Sequence, residues 1–270
     1  MLRLSIESLA IDRVEKALRR RWTSSSGGSM IQRNSTARGK LRWPPLLWGA
    51  ILAVLGGMAA GPAIAAGPPS QLIYRVAHSV FGDIGTYINT IEPVGTGTLV
   101  LTQVHFDVKM LGVRMYHEVA QRSERWQGDR LVAFDGVTDK GHGPVKITGI
   151  ARGNQFEITS PQGTIDAPAT VHPANPWSAN FLRANVMMRV DTGRVEPVHI
   201  TGGEPTAVTV GFHAVAARKY EIAGSTKYTV WLDGRGIPVK FVADDNSGEV
   251  TFTLDKCVRC GTGAVRLGSN

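Results

Sequence analysis

Val100-Leu101-Thr102-Gln103-Val104-His105-Phe106-Asp107-Val108 carries apolar side chains at positions 100, 104, 106 and 108 and mostly polar ones between them. Successive side chains of a β-strand point to opposite faces of a sheet, so this pattern predicts a strand with one buried face. The same period of two recurs at Val208, Val210 and Phe212, at Tyr228, Val230 and Leu232, and at Val250, Phe252 and Leu254. The sequence therefore predicts a set of half-buried antiparallel strands.

Turn-forming residues separate these strands at short intervals. Glycine and asparagine tolerate the positive φ angles of tight hairpins, and they occur at Gly95-Thr96-Gly97, Gly153-Asn154 and Asn246-Ser247-Gly248, among other places. Successive hairpins give a meander, and a meander of about ten strands must curl or close to hide its edges. We expect an all-β fold, a strongly curved antiparallel meander sheet or open β-barrel with one short helix.

The short helix is predicted from a single segment. Asn175 can cap it, Pro176 suits its first position, and Trp177 and Phe181 would then lie one turn apart on one face.

The N-terminal region has the three parts of an export signal. Basic residues such as Arg38 and Arg42 precede an apolar run that begins at residue 44, and small residues follow it, ending in Ala63-Ile64-Ala65. We expect residues 30–65 to form a signal peptide that is cleaved after Ala65, which predicts a periplasmic or otherwise exported protein. An uncleaved anchor is the alternative, since a spanning helix needs about 20 residues. Pro62 favours cleavage, and cleavage would leave no integral membrane span in the mature chain.

The remaining boundaries follow from this signal. Residues 1–29 are either an extension that precedes a true translation start at Met30, which the ordinary length of the lead-in favours, or a cytoplasmic tail. Residues 66–256 are expected to form a single β domain, and residues 257–270 a flexible C-terminal tail.

The charge of the chain is concentrated in the signal. Of its 30 Lys and Arg residues 10 precede residue 66, and of its 22 Asp and Glu residues 3 do, so residues 66–270 carry 20 basic and 19 acidic side chains. A nearly neutral domain lacks the basic footprint of nucleic-acid binding. We expect no nucleic-acid partner.

Several strand-and-turn signatures resemble a known family. They are Tyr74-Arg75-Val76, Gly82-Asp83-Ile84-Gly85-Thr86, Trp126 with Leu131 and Thr138, His172-Pro173 through Trp177, Tyr220-Glu221-Ile222, and Trp231-Leu232-Asp233-Gly234 with Phe241. Over residues 72 to 254 the chain resembles a family of exported bacterial proteins known as domain of unknown function 6134. The resemblance implies an envelope protein with a strongly curved antiparallel sheet, similar to the open half-barrel of the lipoprotein carrier LolA. It brings no catalytic residues, and we expect no cofactor.

Cys257 and Cys260 are the two cysteines of the chain. In an oxidising compartment such a pair most often forms a disulfide, and that is the prediction here. Free thiols, a redox-active pair and a metal site are alternatives, but a zinc site needs about four ligands and this pair supplies half of them.

His105 and His117 are the best candidates for a metal pair, because they flank a predicted hairpin. A three-residue loop would place them opposite each other, whereas a two-residue loop at Leu111-Gly112 would place His105 opposite Glu118. We favour the second register, because it gives one largely apolar face on which Val104, Phe106 and Val108 oppose Val119, His117 and Met115. No metal site is then expected.

Catalytic motifs do not emerge from the sequence. It has no G-x-S-x-G, S-x-x-K or H-E-x-x-H motif and no phosphate loop. Pairs of carboxylates could form only in the folded chain, so the sequence favours a protein that is not an enzyme. The candidate carboxylates are Asp135, Asp139, Asp244, Asp245 and Glu249.

Trp177, Phe181 and Leu182 are the predicted ligand-binding residues. On a short helix they could plug the open end of a curved sheet over an apolar surface, although an ordinary hydrophobic cap is the alternative. The sequence thus favours an exported envelope protein that binds a lipid or another apolar or amphiphilic ligand. The alternatives are an envelope hydrolase and an accessory module that binds another envelope protein by strand addition.

Overall fold

The computed structural model describes residues 68–110, 113–245 and 248–260. In this part of the chain lie one 3₁₀ helix, Ala179–Arg183, and sixteen strands. The strands are β1 Ser70–His78, β2 Gly82–Val94, β3 Gly97–Met110, β4 Val113–Gln127, β5 Arg130–Asp139, β6 Pro144–Arg152, β7 Gln155–Ser160, β8 Gly163–Pro168, β9 His172–Pro173, β10 Val186–Met188, β11 Val195–Pro197, β12 His199–Val210, β13 His213–Ala223, β14 Lys227–Leu232, β15 Pro238–Asp245 and β16 Gly248–Val258.

Some sequence-based expectations lie outside the described residues. These are the N-terminal extension at 1–29, the signal peptide at 30–65 with its cleavage site at Ala65, residues 66–67 of the β domain, the Leu111-Gly112 turn, residues 246–247 of the turn that ends at Gly248, and residues 261–270 of the tail. No helix within the described ranges is long and apolar enough to cross a membrane.

Thirteen strands form one curved antiparallel sheet in the order β12-β13-β14-β15-β16-β1-β2-β3-β4-β5-β6-β7-β8. Neighbours in the sheet are neighbours in the chain, except where β16 pairs with β1 and joins the C-terminal strands to the N-terminal ones. β12 and β8 form the edges, so the sheet is open. The prediction of an all-β, curved antiparallel meander is confirmed.

Residues 169–198, here called the covering segment, leave the sheet between β8 and β12. They contain the 3₁₀ helix and a second sheet in which β10 pairs in parallel with β9 and antiparallel with β11. Met187 packs into one hydrophobic cluster of the main sheet and Met188 into the next. The covering segment therefore packs on the buried face of the sheet and contacts two of its hydrophobic clusters.

The described residues form three hydrophobic core clusters, because a sheet this wide buries its apolar face in separate parts. The first draws on β1 to β4 and β13 to β16 and includes Tyr74, Tyr87, Phe106, Phe241 and Phe252. The second draws on β3 to β8 and includes Trp126, Leu131, Phe134, Ile147 and Phe156. The third is small and lies between the β12–β13 hairpin and β15, with Val208, Val215, Ala217 and Val239.

The predicted register of β3 against β4 is wrong by one residue over most of its length. Met110 pairs with Val113, as a two-residue loop requires, but a β-bulge at Met115 then shifts the ladder. His105 consequently lies opposite Val119, and His117 lies opposite Asp107. A bulge of this kind leaves no signal in the alternation of apolar residues.

The short helix begins later than predicted. Ser178 is the N-cap, and its hydroxyl accepts a hydrogen bond from the backbone N–H of Asn180 at 3.3 Å. Asn175 does not cap the helix, because its buried side chain makes hydrogen bonds with side chains of the main sheet. Phe212 also departs from its predicted strand: β12 ends at Val210, and Phe212 lies fully exposed in the following turn.

The C-terminal strand is longer than the sequence indicates. β16 reaches Val258, past the domain end placed at residue 256, because a bulge at Asp255 restores pairing and sets Cys257 opposite Leu72. Cys257 and Cys260 form a disulfide with their Cα atoms 5.7 Å apart, and both pack against the first core cluster.

Candidate functional site

The buried face of β4 is polar where a core strand is normally apolar. Glu118, Arg122 and Glu124 point inward in phase with Ala120 and Trp126, and their exposed fractions are 8%, 6% and 0%. Charged side chains at such depth require hydrogen-bond or ionic partners. Two groups of partners surround them.

The first group surrounds Glu124. Its carboxylate accepts hydrogen bonds from Asn175 Nδ2 at 2.7 Å, Trp126 Nε1 at 3.0 Å and Trp177 Nε1 at 3.1 Å. All three neighbours are donors, and they match the acceptor oxygens of the carboxyl group. Glu124 thereby fastens two residues of the covering segment to β4.

Asn175 is the centre of the same network. Its Oδ1 accepts hydrogen bonds from Tyr87 Oη at 2.7 Å and from Asn89 Nδ2 at 3.1 Å, and its Nδ2 also donates to Thr102 Oγ1 at 3.1 Å. Thr102 in turn donates to Asn89 Oδ1 at 2.8 Å. Strands β2, β3 and β4 are thus joined to the covering segment through one buried amide.

Burial has the largest effect on the pKa of the Glu124 carboxyl group. It raises the pKa of this carboxyl from 4.5 to about 7, even though the N–H groups of Asn175, Trp126 and Trp177 favour the charged form. Glu124 therefore carries its proton to a much higher pH than an exposed glutamate.

The second group is a chain of ionic contacts that begins at Glu118. Its carboxylate accepts a hydrogen bond from Arg122 Nη2 at 3.3 Å and lies 3.8 Å from Lys140 Nζ. Lys140 Nζ lies 2.9 Å from Asp191, and Asp191 lies 3.4 Å from Arg189 Nε. The chain connects β4 and the β5–β6 turn to the covering segment, because Asp191 and Arg189 belong to that segment.

A cavity of about 170 Å³ lies between the sheet and the covering segment. Much of its wall is apolar, formed by side chains such as Phe106, Phe181, Met187, Phe241 and Phe252. The charged side chains on its wall are Glu118, Arg122, Lys140, Arg189 and Asp191. The cavity therefore combines an aromatic and aliphatic lining with a cluster of opposite charges.

Among the described residues, Arg122 is the only cation of the cavity wall that has a buried nitrogen without a hydrogen-bond partner. Its Nη2 donates to Glu118 and to Thr138 Oγ1 at 3.2 Å, but its buried Nε has no hydrogen-bond partner. Gly136 lies opposite it on β5, where an added Cβ would come within 3.3 Å of Arg122 Cγ. The absence of a side chain at Gly136 leaves room for the aliphatic part of Arg122 on the buried face of the sheet.

Residues 82–255 match the model of the family described as Domain of unknown function (DUF6134), which covers more than half of the chain. The chain belongs to this family. Its fold is similar to the crystal structure of a β-barrel-like protein of domain of unknown function DUF1849 from Brucella abortus, with a TM-score of 0.52 and 14% sequence identity over 70% of this chain and 97% of that one. No curated protein is recognisably similar to it in sequence.

The three predicted ligand-binding residues have different places in this DUF6134 protein. Phe181 lines the cavity and is 4% exposed. Trp177 belongs to the Glu124 network and packs against the second core cluster, and Leu182 packs against the first. The structure brings only Phe181 to the cavity wall, and a ligand role for any of the three stays a prediction.

The other candidates lie apart from the cavity. The rings of His105 and His117 have centroids 6.1 Å apart, and no group of three or more His, Cys, Asp or Glu side chains in the described ranges could hold a metal ion. Of the candidate carboxylates whose side chains the structure describes, Asp135, Asp139, Asp244 and Glu249, none lines the cavity.

Sequence reasoning missed Arg122, Glu118 and Glu124. A signal existed, since these residues stand in phase with Ala120 and Trp126 along a predicted strand. The prediction took the face of Val119 as the buried one, but Val119 is 37% exposed. Taking the face of Trp126 as buried would have placed Glu118, Arg122 and Glu124 inside.

Proposed function

We propose that this DUF6134 protein is an exported envelope protein that binds a small apolar or amphiphilic ligand in the cavity beneath the covering segment. The observation that supports it is the cavity itself, an apolar space with charged groups on one part of its wall. Binding sites for small molecules commonly combine a mainly apolar lining with a few placed polar groups.

The size of the cavity limits what it holds. Its volume of about 170 Å³ is close to that of engineered apolar cavities of roughly 150 Å³ that take up benzene, and well below the roughly 300 Å³ at which drug-sized sites begin. The described cavity fits about six to eight carbon atoms. We therefore expect a short amphiphile, or one end of a longer chain, and not an entire phospholipid.

A filled cavity tests this proposal. The full chain is expressed, and the protein is purified in whatever form the cells leave it. We expect isothermal titration calorimetry to show that it binds 1-octanol saturably. Ala243→Leu adds volume at the cavity wall and should weaken that binding about tenfold or more, since bound carbon atoms and the new side chain compete for one space.

Ala207→Leu is the matched control, because Ala207 is exposed on edge strand β12. It should leave the affinity unchanged. Equal affinities in wild type, Ala243→Leu and Ala207→Leu would show that octanol binds elsewhere, and the proposed site would be wrong.

Export is a separate part of the proposal and rests on the predicted signal at residues 30–65. Mass spectrometry of the protein from the envelope fraction should find a mature N-terminus near Ala66. A chain that still contains Trp48 in washed membranes would instead establish an anchor.

A further inference from the structure

We infer that the ligand is an anionic amphiphile, whose single negatively charged oxygen group, such as a carboxylate, accepts a hydrogen bond from Arg122 Nε inside the cavity. This inference rests on the proposed function and specifies its ligand class. It is carried by the charges on the cavity wall and by the unpartnered donor of Arg122.

The charges on the cavity wall do not balance. Among the described residues, three cations, Arg122, Lys140 and Arg189, face the same space as two carboxylates, those of Glu118 and Asp191. Glu124 does not line the cavity, and because burial raises its pKa to about 7 it is mostly neutral at pH 6. At that pH one further negative charge would complete the set, whereas a cationic head group would add to the excess.

The contacts within the set show where that charge belongs. Lys140 lies between two carboxylates, and Arg189 contacts Asp191 and donates to Thr226 Oγ1 at 2.9 Å. Arg122 contacts Glu118 at 3.3 Å and shares that carboxylate with Lys140. Arg122 differs from the other two in having a buried donor, Nε, that no acceptor reaches.

The unpartnered Nε is the donor that the head group would satisfy. A buried N–H without an acceptor is unfavourable, because it has lost its water without gaining a partner. The Arg122 side chain is 4% exposed and lines the cavity. An oxygen of the ligand head group would satisfy this donor while the alkyl chain lies among Phe106, Phe241 and Phe252.

The test compares octyl compounds that differ only in their head group. Titration of the protein with octanoate, 1-octanol and octylamine at pH 6, where Glu124 is mostly neutral, should show octanoate about tenfold tighter than octanol, the gain of one charge-assisted hydrogen bond. Octylamine should bind more weakly than octanol. Octyl phosphate should bind no tighter than octanoate, since Arg122 Nε is a single donor and one oxygen satisfies it.

Arg122→Met should bring octanoate to within about twofold of octanol while octanol binding persists. Arg75→Met is the matched control: Arg75 lies on β1 with its side chain 65% exposed, so its loss should leave the preference intact. If Arg122→Met fails to fold, the head-group series on wild type still decides the ligand class, and Arg122→Lys, which keeps the charge but lacks Nε, tests the residue.

The outcomes separate the two levels of the proposal. Octanol and octanoate binding equally well to wild type would overturn the anionic head group but leave the apolar site standing. A preference for octanoate that survives in the folded Arg122 variants would overturn the assignment to Arg122. Absence of binding by every octyl compound would overturn the proposed function itself.

Discussion

Removal of the Asn175 amide should loosen the covering segment from the sheet. The side chain is 4% exposed and makes four hydrogen bonds, with Tyr87, Asn89, Thr102 and Glu124. Asn175→Ala leaves the Tyr87 hydroxyl and the Asn89 amide without their acceptor and Glu124 with two donors in place of three. At about 1 kcal/mol for each bond, the free energy of unfolding should fall by about 4 kcal/mol.

That loss is large enough to measure without ambiguity. For a domain of about 200 residues each kcal/mol lowers the melting temperature by about 2 to 4 °C, so circular dichroism should record a fall of roughly 8 to 16 °C. Urea unfolding followed by tryptophan fluorescence gives the free energy independently, because Trp126 and Trp177 belong to the network.

Asn185→Ala is the matched control. Asn185 lies in the same covering segment, is exposed, and accepts one hydrogen bond from Thr170 Oγ1 at 3.2 Å, so its loss should cost less than about 1 kcal/mol. Should the two variants unfold at similar temperatures, the buried network does not hold the covering segment and the reasoning is refuted.

Three further changes test the fold. Burial raises the pKa of Glu124 in the folded state to about 7 from an ordinary 4.5, so between these pH values the folded state binds a proton that the unfolded state has lost. The free energy of unfolding should therefore fall from pH 5 to pH 8, by on the order of 3 kcal/mol more in wild type than in Glu124→Gln. Urea titrations that give both proteins the same dependence on pH would contradict this. Replacing Cys257 and Cys260 by Ser should lower the free energy of unfolding by roughly 2 kcal/mol, the entropy of a very short loop, and an unchanged urea midpoint would count against it. Gly136→Ala would place a Cβ 2.9 Å from Phe134 Cε1 and should destabilise the protein by about 1 to 3 kcal/mol in the same assay, whereas a stable variant would show that the ring can move aside.

The strands were predictable because a two-residue period is a local property. Val100 to Val108 contain their own evidence for one buried face, and the glycine-rich turns mark where each strand ends. The register of β3 against β4 was not predictable to the residue, since the bulge at Met115 costs little and shifts every later pair. The open sheet and its covering segment follow from pairings between distant strands, such as β1 with β16.

The candidate site was harder to predict, because its residues are close only in the folded chain. Asn175 lies 51 positions from Glu124 and 88 from Tyr87, and its pattern with Pro176 is that of a helix cap. A helix cap and a buried hydrogen-bonding side chain can both be an asparagine, so the residue type alone does not distinguish them. Only the surroundings distinguish the two roles, and here Ser178 takes the cap.

The covering segment is held by two polar groups of contacts that differ in how they respond to solution conditions. The Glu124 network is buried and relies on amide, hydroxyl and indole donors, so added salt should affect it little. The contact of Lys140 with Asp191 involves a lysine side chain that is 42% exposed, so added salt should weaken it more than the buried network. Because Lys140 and Asp191 also line the cavity, this salt-sensitive contact lies next to the proposed ligand site. High salt should therefore loosen the covering segment beside the cavity, while Asn175 keeps the segment in register on the sheet.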